Sequence, residues 1–279
     1  MFANFMLNTW IAASIVAVVA GVVGFFVVVR GTAFAAHALP LSAFPGAAAA
    51  HVLGFGDFAG LGIFALFGVF SISELGRRTR HDVATALSLV MLVGIGALFL
   101  SMTREYAQEV YSLLFGQVLG VPSAALLPIA ALGAVAVAVT LILFRPLLLT
   151  ATSAELAEAS GISARTVELV FLVILAFATT VTLPVVGALL VFSLMVGPAS
   201  AARALTSRPI AAMLLSVVLA LVTTWSAIVL SYFSDWPIGF FVGAFAVFWY
   251  ALGRATALTA WPTGFFVRRQ IDCDTGRLN

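Results

Sequence analysis

The side chains able to do chemistry in this 279-residue chain are few and far apart. Its imidazoles are His37, His51 and His81, its one thiol is Cys273 in the polar tail, and its eleven carboxylates mostly border apolar runs. Imidazole nitrogen and carboxylate oxygen suit divalent metals, so His37, His51 and Asp57 are the candidate contacts for a cation passing through the chain. His37 reads equally well as a packing histidine bonded to a backbone carbonyl, and both readings stand. On one continuous helix, at about 1.5 Å per residue, His37 and His51 are about 21 Å apart and cannot close on one ion. Pro40 and Pro45 lie between them, and prolines inside a helix free carbonyls that can line a cavity. His51 and Asp57 fit the mouth of a pathway or an interfacial pair without a role, and His81 beside Asp82 fits a solvated turn.

Several kinds of chemistry are missing. There is no P-loop, no His-Glu-x-x-His, no Gly-x-Ser-x-Gly and no cysteine pair. The chain therefore reads as no enzyme and as holding no permanent cofactor. Carriers driven by ion gradients keep acids near the bilayer midplane. Here Glu74 and Glu168 fall at helix ends and Asp57 and Asp235 at the boundary, so the energy source is expected outside the chain.

Everything that must position these residues is apolar. Hydrophobic residues make up 63% of the chain and charged ones 9%, with a mean hydropathy of +1.19. A soluble domain carries about 25% charged residues, so the bilayer is the solvent this composition requires. All thirteen basic residues are arginines scattered singly or in short groups, which reads as topology marking rather than nucleic-acid binding. Apolar stretches near the 20-residue spanning length fall at Asn8–Val29, Thr32–Leu53, Phe58–Ser73, Ala84–Ser101, Ser123–Phe144, Val167–Leu183, Val186–Ala201, Ile210–Phe233 and Ile238–Leu252. The expected fold is thus an all-α polytopic membrane bundle of about nine transmembrane helices, or eight if Pro184 only kinks one span. Cytoplasmic loops collect basic residues. With the N-terminus outside and nine crossings, every arginine except Arg104 falls on the cytoplasmic side. Residues 1–260 form the transmembrane domain of a multi-pass protein of the cytoplasmic membrane, and 261–279 form a cytoplasmic tail expected to be disordered. The segment Met102–Pro122 lies outside and either rests on the surface or re-enters.

The polar inner segment Thr150–Arg165 reads as a helix of about two turns. Thr152 or Ser153 is its N-cap, Glu155 lies in its first turn and Gly161 terminates it. A helix that short is marginal alone, so Glu155, Leu156, Ala157, Glu158, Ala159 and Gly161 suit docking on a partner better than resting on the membrane as a linker.

Five stretches, in order, resemble the permeases of metal-ion ATP-binding-cassette importers for zinc, manganese or iron. They are FFVVVRGTAFAAHALPLSAFPGAAAAHVLG, LLFGQVLGV, AELAEASGIS, VVGALLVFSLMVGPASAARAL and LSYFSDWPIG, the last ending in Asp235, Pro237 and Gly239. The resemblance implies a homodimer, two cytoplasmic ATP-binding-cassette ATPase subunits, an extracytoplasmic metal-binding protein and a divalent metal ion as cargo. It assigns AELAEASGIS to ATPase coupling and the Asp235–Gly239 turn to gating. At the family's Gly-Asp-Ala-Leu-Ser-His site the chain departs: His37 stands at the Asp position and Leu41 at the His position. That departure leaves open a permease for a chelated metal or another small solute. An ion-coupled secondary carrier is the competitor from another class.

Overall fold

The computed structural model describes residues 4–75, 81–102, 114, 116 and 121–260. Among these the regular structure is entirely α-helical. The helices are α1 (Asn4–Val29), α2 (Ala33–Leu53), α3 (Asp57–Leu75), α4 (His81–Ser101), α5 (Ser123–Ile142), α6 (Phe144–Thr152), α7 (Ala154–Ala159), α8 (Ala164–Val186), α9 (Ala188–Leu205), α10 (Pro209–Ser234) and α11 (Ile238–Ala260). Eight of them are long and apolar enough to cross a membrane, and α4 adds a shorter apolar stretch, Thr85–Phe99. An all-helical bundle of about nine spans is what the apolar runs predict.

Two boundaries differ from expectation. The span starting near Ala164 runs straight through Pro184, and the break comes at Gly187, whose φ of 87° and ψ of 151° only glycine adopts readily. Proline removes one helical hydrogen bond, which bends this helix without ending it. The fifth span also stops at Ile142, and a separate nine-residue helix, α6, follows it. Pro146 is third in α6, within the first turn, where its missing N–H costs no helical bond.

Two groups of helices are joined by a seam. In one, α1 packs against α5 and α10, and α10 against α11. In the other, α2, α3 and α4 pack on one another. Helix α8 touches α1, α2, α3 and α5, while α9 touches α1, α2, α10 and α11. Thus α8 and α9 bind the two groups together. Close approach at these contacts rests on small residues, as apolar solvent requires. Gly24 of α1 lies against the Met195 carbonyl of α9, and Gly46 of α2 meets Gly60 of α3 back to back. Hydroxyls inside the bundle satisfy themselves on backbone carbonyls: Thr140 on Ala136 (2.6 Å), Thr182 on Ala178 (2.8 Å) and Thr224 on Ala220 (2.9 Å). Ser216 donates instead across helices, to Gly21 (2.9 Å), and pins α10 to α1.

Candidate functional site

His37 lies in the second turn of α2, on the seam. Its ring stands edge-on to Phe192 of α9, with centroids 5.2 Å apart and planes at 76°. Nδ1 is buried and has no hydrogen-bond partner. One turn on, Leu41 is half-buried and packs on the core. Below it Ser42 is fully buried with its hydroxyl unpartnered, as is the Ser88 hydroxyl of the neighbouring α4. Helix α2 is continuous past both prolines, so His51 stays near its far end; the His51 side chain lies outside the described residues. Asp57 is exposed at the first turn of α3, where a carboxylate complements the helix dipole. The structure therefore brings His37 together with an aromatic ring, not with His51 or Asp57. Among the described residues, no three of His, Cys, Asp and Glu converge as a metal cage.

At the end of the bundle bearing Arg165, Arg203 and Arg208, the polar segment folds into α7. Ser153 caps it, its hydroxyl accepting from the Leu156 N–H at 3.2 Å. Gly161, at φ 76°, closes it: Ile162 N–H bonds the Ala157 carbonyl and Gly161 N–H the Glu158 carbonyl, each at 2.9 Å. The helix has six residues, shorter than the two turns expected. Ala157 is fully buried and faces the bundle. Glu155, Leu156, Glu158 and Ala159 point away from it, and Leu156 is 62% exposed. An apolar knob flanked by two carboxylates is thus held out from the bundle.

Arg30, which the sequence marks only as a basic loop residue, is built into this same end. It is the C-cap of α1, where Thr32 N–H bonds Val27 (3.0 Å) and Gly31 N–H bonds Val28 (3.3 Å), with Gly31 at φ 69°. One guanidinium nitrogen donates to the Thr150 hydroxyl (2.6 Å) and the Leu147 carbonyl (3.2 Å), both in α6. The guanidinium carbon sits 5.2 Å from the centroid of the buried Phe171 ring in α8. Burial lowers the pKa of this group from its ordinary value, and the Glu168 carboxylate acts in the opposite sense. A charged residue next to a helix-ending glycine was the only hint in the sequence, because its partners lie 117 and 120 residues away.

At the opposite end, Asp235 caps α10 with φ 56°, the only positive φ at a non-glycine among the described residues. Aspartate tolerates this left-handed region better than most residues. Gly239 is needed for proximity, since a Cβ there would lie 2.5 Å from a Leu190 methyl of α9. Pro237 precedes α11 and its carbonyl accepts from Phe240 N–H at 3.0 Å. Most of Met102–Pro122 lies outside the described residues. Of those described, Leu114 packs on the core and Val121 is buried, and a Cβ on Gly116 would lie 2.5 Å from the Val185 carbonyl.

The sequence profile of the ABC 3 transport family matches residues 2–255. The manganese import system permease protein ScaB of Streptococcus parasanguinis is 26% identical over 215 residues, covering 76% of each chain. The high-affinity zinc uptake system membrane protein ZnuB of Haemophilus influenzae is 26% identical over 219 residues, covering 77% of this chain and 84% of that protein. In fold, the chain is similar to PsaBC from Streptococcus pneumoniae, solved in complex with Fab. The TM-score is 0.82 at 22% identity, over 90% of this chain and 91% of that one.

Proposed function

The chain belongs to the ABC 3 transport family, and from that premise we propose that it is the membrane-spanning permease of an ATP-driven importer of a divalent metal ion, zinc, manganese or iron. In this reading two copies form the pathway, with the N-terminus outside. Two cytoplasmic ATP-binding-cassette ATPases dock on α7, and an extracytoplasmic protein delivers the metal. The names of the two relatives, one a manganese and one a zinc uptake protein, support the cargo class.

The observation that carries the proposal is the exposed face of α7, Glu155, Leu156, Glu158 and Ala159, on a six-residue helix between two crossing segments. A fragment that short has no stability of its own, and its one apolar knob is turned away from the bundle. Replacing Leu156 by Asp in the full chain tests it. Interface anchors of this kind are worth about 2 kcal/mol, so retention of the cognate ATPase on the purified permease should fall more than about tenfold. Wild-type retention by that variant would contradict docking at α7.

His37, edge-on to Phe192 of α9 on the seam, would face the cargo, with His51 and Asp57 at the outer mouth. The Asp235–Gly239 turn would stand beside α9 as part of an outer gate. A second reading, transport of a chelated metal or another small solute, draws on the neighbours of His37: Leu41 and Phe192 are apolar. Uptake by the reconstituted complex of an organic metal chelate, but of none of Mn2+, Zn2+ and Fe2+ alone, would favour it.

A further inference from the structure

Helices α6 and α7 form a short arm at the end of the bundle. The arm leaves α5 at Leu143, a residue outside the regular helix with φ −90° and ψ 14°. Pro146, in the first turn of α6, has no N–H, so it makes no backbone bond back across that joint. At its other end a single residue, Ser153, separates α6 from α7. What holds α6 against the bundle is apolar packing, with Leu147 fully buried, Leu148 on the core and Phe144 edge-on to Phe26 of α1 at 5.5 Å, together with the polar tie of the Arg30 guanidinium at its outer end.

The guanidinium is rooted in a rigid place. Arg30 is fixed as the C-cap of α1 by the two backbone bonds across Gly31. Its planar head lies beside the Phe171 ring of α8 and donates to two oxygens of α6. The Thr150 hydroxyl that accepts from Arg30 in turn donates a hydrogen bond to the Pro146 carbonyl at 2.9 Å, so the contact runs along the arm back to the joint. Charge-assisted bonds are about twice as strong as neutral ones. One side chain thus ties the arm to α1, the hub of one helix group, and to α8, which spans both groups.

We propose that Arg30 is a positioning residue that transmits movement of α7 to α1 and α8, so that nucleotide hydrolysis on a docked ATPase is converted into movement at the seam between α2 and α9. This rests on the reading of α7 as the docking helix. Without the clamp, the outer end of α6 at Thr150 loses its polar tie and moves with α7 while the seam stays still, and hydrolysis is uncoupled from transport.

The test uses the full chain with its cognate ATPase in proteoliposomes, supplied with MnCl2 or ZnCl2 alone, whichever the wild type moves. The readout is metal moved per ATP hydrolysed. Arg30→Gln and Thr150→Val should retain the ATPase as the wild type does, yet lose about tenfold in that ratio, the scale of one charge-assisted hydrogen bond. Thr150→Ser keeps the hydroxyl and should match the wild type. The double variant Arg30→Gln/Thr150→Val should be no worse than the worse single one, since both remove the same interaction. Should Arg30→Gln fail to fold, the threonine pair carries the test alone. A wild-type ratio in Thr150→Val, or equal loss in Thr150→Ser and Thr150→Val, overturns the clamp while leaving docking at α7 intact. A wild-type complex that retains no ATPase, or moves neither metal, overturns the underlying reading and this inference with it.

Discussion

His37 keeps a ring nitrogen buried and unpartnered, while most buried hydroxyls among the described residues, Ser42 and Ser88 apart, have a partner. An unsatisfied buried polar group costs about 1–3 kcal/mol. Such a cost is tolerable where something else visits the group, and polar residues inside membrane spans mark pathways. Replacing His37 by Ala should therefore lower metal uptake at least about tenfold, since even indirect supports of a metal ligand are worth that much. Unchanged uptake would assign the ring to packing against Phe192. At this scale the sequence exposes what short spacing encodes. Ser153 and Gly161 are readable as cap and terminator from their residue types alone, because capping is local chemistry. Asp235 is recognisable only as part of a motif; its left-handed backbone appears first in the fold. Arg30 was hidden, because no periodicity links it to Thr150 or Phe171.

The helices follow from apolar runs, and their ends follow from glycine more than from proline. Pro184, Pro40 and Pro45 all sit inside helices. Gly31, Gly54 and Gly161 each take a positive φ at a helix end, and Gly187 does so between two helices. The sequence reading placed the α8–α9 break at proline and was off by three residues for that reason. It also missed α6, because an arginine and a proline near its start look like a loop until the first-turn position of the proline is known. The six residues of α7 depend on their terminator more than any other element does. A Cβ at Gly161 meets nothing within 4 Å, so Gly161→Ala isolates the backbone cost, about 1–2 kcal/mol for a left-handed residue. The expected outcome is faster amide exchange across Ala154–Ile162, by about tenfold for each 1.4 kcal/mol, with the rest of the bundle unchanged. Equal protection in the variant would show that packing of Ala157, not the cap, holds the helix.

Over the whole molecule, α8 and α9 meet one of these residues at each level: His37 against Phe192 of α9 on the seam, Arg30 over Phe171 of α8 at the end near α7, and Gly239 against Leu190 of α9 at the other. The alternating direction of the helices puts the described arginines, Arg30, Arg145, Arg165, Arg203, Arg208 and Arg254, toward one end, the end that carries α7. Bundle class and the approximate number of spans are legible because burial in lipid demands long apolar runs. The grouping of helices was not, since spans of nearly uniform hydropathy carry no record of their neighbours. Among the described residues no acid lies deep within a span, and in the proposed function the energy source is an external motor docked on α7. The most direct test of that account is metal uptake into proteoliposomes holding the permease and its cognate ATPase, with and without ATP and with a protonophore and a sodium ionophore. The account predicts uptake that requires ATP and the ATPase and persists with both ionophores present. Uptake by the permease alone that either ionophore abolishes would contradict it.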